Sequence, residues 1–521
     1  MTWIVLPTDC VMGILILGLM LYALWVRRDA RRRTQWARVF SRPTVAAAGS
    51  VLLFLTGIAA VDSVHFRTLL STDPNDEPIY STVTRSALEY LITEKLDAAH
   101  PERSYSTPFA LREFDKSTAL INGERVRDFQ PLKAPIAHPA STEQLAQRAA
   151  LAALCGAIVG ALLGAAPLLS RILTRALAGR LRAQGRDASR ASDALDAASS
   201  PNAPQATRAA CYEEGVSPAL LAATITLALL FALAFALLCV WPSRHPFGTD
   251  AVGSDVLLSA LQSIRTALVI GTLATLSTLP FAITLGIAAG YFRGWIDDVI
   301  QYLYTTLSSI PGVLLIAASV LMLQGFMDAH PDLWATGLER ADVRLFSLAL
   351  IIGLTGWASL ARLLRAESMK LSALDYVRAA KALGVSNTLI MWRHILPNVF
   401  HMVLIVAVLD FSGIVLYEAV LSYVGVGVDP SMNSFGTMIN AARSEMSRTP
   451  MVWWNLAAAF LFMLALVLCA NVLAAAVRDA FDPRARVQRP VRRPREQSVT
   501  TECASAAAAQ RKAPLEGAHH D

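Results

Sequence analysis

The stretch that decides how this chain is read is Ser372-Ala-Leu-Asp-Tyr-Val-Arg-Ala-Ala-Lys-Ala-Leu-Gly384-Val-Ser-Asn-Thr-Leu-Ile-Met-Trp-Arg-His-Ile-Leu-Pro397-Asn398. It is polar and lies between two long apolar runs. A few residues suffice to turn between membrane spans, so a polar segment of this length calls for another reason. Ser372, with Asp375 three residues on, reads as a capping-box-like helix start. The alanines that follow are the best helix formers, and their small side chains let another surface approach closely. Gly384 stands where a helix end takes a positive φ, so it should close the first helix. Ser386 is placed to cap a second, with Val385 and Ile390 at hydrophobic-staple spacing. Pro397 does not fit a helix interior without a kink, so a break is expected there. Two short amphipathic helices are therefore expected, suited either to lie on lipid headgroups or to dock onto a partner.

The rest of the chain says what this segment interrupts. Of 521 residues, 54% are hydrophobic and only 17% charged, and mean hydropathy is +0.45. That balance points to the bilayer. About nine apolar runs reach the roughly 20-residue length of a membrane span, at 4–26, 44–63, 149–170, 218–241, 267–290, 300–324, 345–364, 399–424 and 453–476. Asp9 and Pro7 weaken the first. It does not read as a signal peptide, because its arginines follow it rather than precede it.

Charge orients these runs. The net charge is +6, carried by arginine, since only six lysines are present. Arg27, Arg28, Arg31, Arg32, Arg33, Arg38 and Arg42 crowd the first loop, which should be cytoplasmic. Counting onward puts the N-terminus outside, 64–148 outside, and 171–217, 365–398 and the C-terminal tail inside. Each inside segment carries several basic residues. Nucleic-acid binding is a poor competitor, because no basic patch is interleaved with aromatics. The cysteines form no C-x-x-C pair, which argues against a metal site or a disulfide framework.

Residues 64–148 are too long and polar for a turn. Val83, Leu88, Leu91, Ile92 and Leu96 suggest an amphipathic helix. Leu120 to Val126 reads as a hairpin around Asn122-Gly123. Residues 183–210 have the composition of a linker, and 484–521 that of a disordered basic tail. The domains expected are two spans with an Arg-rich loop (1–63), an extracytoplasmic domain (64–148), a third span with a linker (149–217), a transmembrane domain (218–483) and the tail (484–521).

The run Ala379-Ala380-x3-Gly384, nine residues, then His394-Ile395-Leu396-Pro397 resembles the EAA loop of bacterial ABC importer permeases. Further segments resemble the oligopeptide and dipeptide branch in the correct order. They are His245-Pro-Phe-Gly-Thr-Asp250 with Gly253-Ser-Asp-Val256, Gly290-Tyr-Phe-Arg-Gly-Trp-Ile-Asp-Asp298, Leu421-Ser-Tyr-Val-Gly-Val-Gly427 with Pro430 and Ser434-Phe-Gly436, and Asn471 with Arg478-Asp-Ala-Phe-Asp-Pro483. The likeness spans roughly 218–486; residues before about 215 match no named pattern. It departs at Arg378, where the family has an acidic residue, and at Ser254, where it usually has arginine. The resemblance implies an all-α polytopic membrane protein of the type I importer class, with three added N-terminal helices and a small outer domain. It also implies that Asp375, Arg378, Ala379, Ala380, Gly384, His394, Ile395, Leu396 and Pro397 couple the chain to an ATPase. Expected partners are a second permease subunit in a heterodimer, two ATPase subunits, an extracytoplasmic solute-binding protein and the lipid of a bacterial inner membrane.

Other features are weighed beside this. No G-x-x-x-x-G-K-[ST] occurs, and no lysine follows a glycine, so ATP hydrolysis is expected in another subunit. No catalytic residue, cofactor or metal is expected; His245 and His394 lack a second ligand at fixed spacing. Gly156, Gly160 and Gly164 form either a helix-packing face or part of general close packing. Asp410, inside an apolar run, either lines a solute path or is hydrogen-bonded structurally. Glu418 is expected at the interface, and Trp241, Trp295, Trp334, Trp453 and Trp454 as interfacial anchors. The function expected is an importer permease for peptides or similar solutes. The alternatives are a sensor or assembly protein using a permease-like body, an ion-coupled carrier, and a permease for a solute such as nickel.

Overall fold

Inside hydrocarbon every backbone N–H and C=O must be satisfied within the protein, so long apolar runs become helices. The computed structural model describes residues 2–72, 78–81, 84–95, 102–121, 124–137, 141–189, 218–334 and 336–481. Among them are nine helices long and apolar enough to cross a membrane.

The chain opens with a short strand β1 (Thr2–Ile4), then α1 (Pro7–Arg28), the Arg-rich α2 (Ala30–Val39) and α3 (Pro43–Asp62). Short strands follow: β2 (His65–Arg67), β3 (Leu69–Thr72), β4 (Pro78–Tyr80) and β5 (Arg85–Ser86). Next come α4 (Ala87–Tyr90), which runs into a π-turn over Leu91–Lys95, then β6 (Ser117–Ile121), β7 (Glu124–Asp128) and α5 (Lys133–Ala137). Strand order β1-β2-β5 makes one small antiparallel sheet; β3-β4 and β6-β7 are separate ribbons. The expected all-α chain therefore carries seven short strands among the described residues, all outside the spans. The β6-β7 pairing of Ile121 with Glu124 forms the expected hairpin, although Asn122 and Gly123 lie outside the described residues. So do Val83 and Leu96 of the expected amphipathic helix.

α6 (Thr142–Ser189) and α7 (Pro218–Val240) pack along their glycine face. A β-carbon at Gly156, Gly160 or Gly164 would lie 2.3, 2.4 and 2.7 Å from atoms of Phe231, Leu227 and Thr224. Only glycine permits that approach, so the small-residue spacing is a specific helix–helix contact. The linker expected over 183–210 begins later than its composition suggests, since α6 continues to Ser189; residues 190–217 and the tail from 482 lie outside the described residues.

The body is built by α8 (Val256–Phe292), α9 (Trp295–Ser309), α10 (Gly312–Ala329), α11 (Gly337–Ser372), α12 (Asp375–Ala382), α13 (Asn387–Ile390), α14 (Leu396–Tyr423), α15 (Phe435–Glu445) and α16 (Trp454–Phe481). α8 has 37 residues, so it is about 55 Å long and overreaches the roughly 30 Å hydrocarbon layer. It starts earlier than its apolar run because the Asp255 side chain accepts from the N–H groups of Leu257 and Leu258. α11 is likewise extended, with Thr336 as its cap. The expected run 300–324 divides at Ile310-Pro311 into amphipathic α9 and membrane-length α10.

Two apolar cores organise this body. One joins Ile264, Leu348, Phe435 and Trp454 with Met12, Leu55 and Ala59 of α1 and α3. The N-terminal helices thus share the core of the body. The second joins Ile287, Tyr304, Leu360 and Leu364 with Val377, Ala380, Ile390, Ile395 and Val399 of the polar segment.

Candidate functional site

The polar segment folds as two short helices, but its caps differ from expectation. Ser372 ends α11 rather than starting α12: its hydroxyl donates to Met369 O at 2.9 Å and accepts from Arg293 Nη2 at 3.2 Å. Leu374 occupies the cap position of α12 without a side-chain hydrogen bond. At the other end the expectation holds. Gly384 has φ +78°, its N–H donates to Lys381 O at 3.1 Å, and Val385 N–H reaches Ala380 O at 3.2 Å. That pair of bonds is a Schellman closure. Ser386 sits at the cap of α13 but its side chain accepts nothing there.

Pro397 does not break the next helix. A π-turn over Met391–Ile395 precedes it, and the helical path from Asn387 to Tyr423 is continuous. Proline removes one N–H donor and crowds the carbonyl a turn earlier; widening that turn accommodates both.

The segment is anchored on one side and bare on the other. Val377, Ala380, Ile390 and Ile395 are buried in the second core. Tyr291 Oη donates to Asn387 Oδ1 at 2.8 Å, and Asn398 Nδ2 donates to Tyr376 Oη at 3.0 Å and His394 O at 2.7 Å. The His394 ring lies 6.4 Å from that of Tyr376. Asp375, Arg378, Ala379, Gly384 and Pro397 are exposed, and His394 and Leu396 half-buried. Arg378 forms no ion pair among the described residues. Leu383 is 83% exposed and Trp392 56%, and Leu374, Tyr376 and Leu389 are also exposed. Below the segment, Arg365 Nη2 donates to Asp297 Oδ2 at 2.7 Å, joining α11 to α9. The guanidinium holds the Asp297 carboxyl below the usual carboxylate range, against a smaller opposing effect of burial.

Within the spans, Asp410 lines a cavity of about 480 Å³ with Thr278, Ser308, Thr355, Ser359 and Tyr417. It has no hydrogen-bond or ion-pair partner among the described residues, so the structural role open to it in the sequence is not the one observed. Glu418 is buried rather than interfacial; Ser422 Oγ donates to it at 2.7 Å. Trp241 and Trp454 are also buried. Their indole N–H groups find Asp255 Oδ2 and Thr249 O, each at 2.9 Å, which draws them inward from the interface. Trp295 and Trp453 are exposed, as anchors would be.

At the face opposite the polar segment, two buried charge clusters tie the N-terminal part to the body. In the first, Arg265 Nη2 donates to Asp9 Oδ1 at 2.9 Å and Thr8 Oγ1 at 2.8 Å. Asp342 accepts from Thr8 N–H at 3.0 Å and from its hydroxyl, and His65 Nδ1 is 3.0 Å from Asp9 Oδ2. Asp9 and Pro7 therefore start α1, and the charge is neutralised by α8. In the second, His245 Nδ1 lies 2.8 Å from Asp255 Oδ2 and Nε2 3.5 Å from Glu102 Oε1. Burial alone would lower the His245 pKa, but hydrogen bonds and charge from Asp255 and Glu102 raise it to about 9. Glu102 also accepts from the N–H groups of Lys133 and Ala134. Thr249 N–H reaches Ser106 O at 3.2 Å, and Arg448 Nη2 reaches Asp115 Oδ2 at 2.9 Å. The described residues of 102–137 are thus seated on the body by the buried Glu102–His245 and Ser106–Thr249 contacts and by the exposed Asp115–Arg448 pair. Sequence reasoning misses these residues because Arg265 and Asp342 lie just outside the apolar runs; the signal available is a charge within a helix turn or so of a span.

A bundle of apolar spans, with a polar hairpin closed by Gly384 on one face and a cavity within, is the body of a multi-pass membrane protein. Residues 282–487 match the family of Binding-protein-dependent transport system inner membrane components. The chain is 31% identical over 244 residues to the oligopeptide transport system permease protein OppC of Mycobacterium tuberculosis (strain ATCC 25618 / H37Rv), covering 47% of this chain and 77% of that protein. It is 30% identical over 243 residues to the glutathione transport system permease protein GsiD of Pectobacterium atrosepticum, covering 46% and 73%. It is 31% identical over 243 residues to the dipeptide transport system permease protein DppC of Alkalihalophilus pseudofirmus, again covering 46% and 73%. The chain belongs to this family, as an inner-membrane permease subunit of an ABC importer of the oligopeptide and dipeptide type.

Proposed function

We propose that this permease moves a peptide-like solute through the membrane and takes its drive from separate ATPase subunits docked on α12. The observation that carries the reading is the polar segment itself. A short helix closed by Gly384 and seated through Val377 and Ala380 presents Leu383, Leu374 and Tyr376 outward. Apolar side chains held outward on a rigid support suit a protein cleft better than water. Arg378, standing where an acid is expected, would meet an acidic group on the partner.

The Arg-rich loops support a cytoplasmic position for this segment and an outer N-terminus. The contacts agree with alternation of the spans. The starts of α1, α8 and α11 meet the end of α3 at Arg265, while Arg42 before α3 pairs with Asp479 near the end of α16 at 2.9 Å. ATP-driven closure of the ATPases would move α12, and α11 and α14 flank it in sequence and carry the walls of the Asp410 cavity. That is how a docked helix could switch the cavity between inward and outward access. A second permease subunit would complete the path, and a solute-binding protein would deliver to the outer face formed by residues 102–137 and α15.

The test is Leu383→Asp. In vesicles with the ATPase subunits, ATP-driven uptake should fall at least tenfold while membrane insertion is unchanged, as expected when a charge replaces a side chain buried at an interface. Uptake at the wild-type rate would remove α12 as the docking element.

A further inference from the structure

The cavity among α8, α9, α10, α11 and α14 is about 480 Å³, within the range of small-solute sites. Among the described residues, Asp410 is the one charged side chain on its lining. It stands near the middle of the 28-residue α14, with no partner among the described residues. An ionised group at that depth is costly unless it meets an opposite charge or water. The same cavity is lined by the hydroxyls of Thr278, Ser308, Thr355, Ser359 and Tyr417. Arg362, a cation that touches this wall, is already engaged. Its Nη2 donates to Ser308 Oγ at 3.3 Å, and its guanidinium lies 5.1 Å from the Tyr304 ring.

We propose that the cavity accepts its solute by an ammonium group, with Asp410 as counter-charge and the Thr355 and Ser359 hydroxyls as acceptors. An ammonium brings three donors and no acceptor, which matches a cavity lined by one carboxylate and several hydroxyl oxygens. The class of solute is a small molecule with a free primary amine, such as a peptide with an unblocked amino terminus. A divalent metal fits less well, because a single carboxylate among neutral hydroxyls offers too few strong ligands. Among the described residues no group of three His, Cys, Asp or Glu side chains is placed to hold a metal. Naming a peptide as the carrier of the amine rests on the permease reading above; the charge preference of the cavity does not.

The experiment separates the two. The full chain, with its six cysteines replaced, carries Thr355→Cys or, separately, Ser359→Cys in membrane vesicles with its partner subunits. Each is labelled with a trimethylammonium methanethiosulfonate and with a sulfonate methanethiosulfonate of similar size. Relative to free cysteine, the cation should react roughly tenfold faster than the anion, and Asp410→Asn should bring the two within about twofold. A preference that Asp410→Asn leaves unchanged, or cysteines that neither reagent reaches, overturns the proposal. In the uptake arm, the preference for trialanine over N-acetyl-trialanine should be lost in Asp410→Asn and kept in Asp410→Glu. Wild-type vesicles that import neither peptide would count against a peptide cargo, and the labelling ratio would still decide the charge preference of the cavity.

Discussion

Replacing Gly384 with valine isolates backbone strain from packing. Gly384 has φ +78°, and a β-carbon built there meets nothing within 4 Å. The substitution therefore brings no clash; its whole cost is conformational. A left-handed residue with a β-carbon costs about 1–2 kcal/mol, and β-branching puts valine at the upper end. About 2 kcal/mol corresponds to roughly a thirtyfold shift, since each 1.4 kcal/mol is tenfold. The shift falls on the Schellman closure, where Val385 N–H meets Ala380 O at 3.2 Å and Gly384 N–H meets Lys381 O at 3.1 Å. Once that turn opens, Leu383 no longer has a fixed direction. Reconstituted vesicles containing the ATPase and permease subunits measure ATP-driven uptake, and protease protection measures insertion. Gly384→Val should lower uptake about tenfold or more with insertion intact, and Gly384→Asn, which tolerates the left-handed region, should keep most of it. Wild-type uptake in Gly384→Val, or equal losses in the two variants, would refute the role assigned to backbone conformation.

Three further outcomes follow from the buried contacts. His245 has a folded pKa of about 9, above the ordinary 6.5, so the stability it contributes is complete below about pH 6.5 and is lost as pH rises through 9. Limited proteolysis of residues 102–137 should thus accelerate above pH 9, and His245→Gln should abolish that dependence; a flat profile in the wild type would contradict it. Arg265→Met leaves the buried Asp62 and Asp342 and the buried side chain of Asp9 without their cation, a change of the kind that costs about 3–5 kcal/mol, and should sharply lower the thermal midpoint in detergent. Gly160→Leu meets Leu227 O at 2.4 Å from its first side-chain atom and should cost about 1–3 kcal/mol of stability in the same assay, whereas Gly57→Leu, with nothing within 4 Å, should not.

The glycine at the end of α12 and the runs that became spans are legible because they rest on local chemistry. A positive φ, an apolar length and a basic loop each declare themselves within a few residues. The features that differ from expectation share the opposite property. Ser372 reads as the start of α12, but its hydroxyl donates to Met369 O within α11 and accepts from Arg293, which fixes it at the end of α11. Trp241 and Trp454 have the placement of interfacial anchors, but acceptors from Asp255 and Thr249 turn them inward. Pro397 falls under a rule against helix interiors, which a widened turn next to it satisfies.

The sequence by itself determined a helical, multi-span membrane protein with a polar segment closed by Gly384 between two spans, because hydrophobic length and a helix-ending glycine are properties of neighbouring residues. Its permease class was legible only through the resemblance of that segment, and of others in the same order, to a known family. Tertiary structure alone decided that the N-terminal helices and the segment 102–137 are joined to the permease body. Arg265 finds Asp9 and His245 finds Glu102 across separations of 256 and 143 residues. Partners so far apart are matched by burial, where a charge must be met wherever its counterpart lies in the chain.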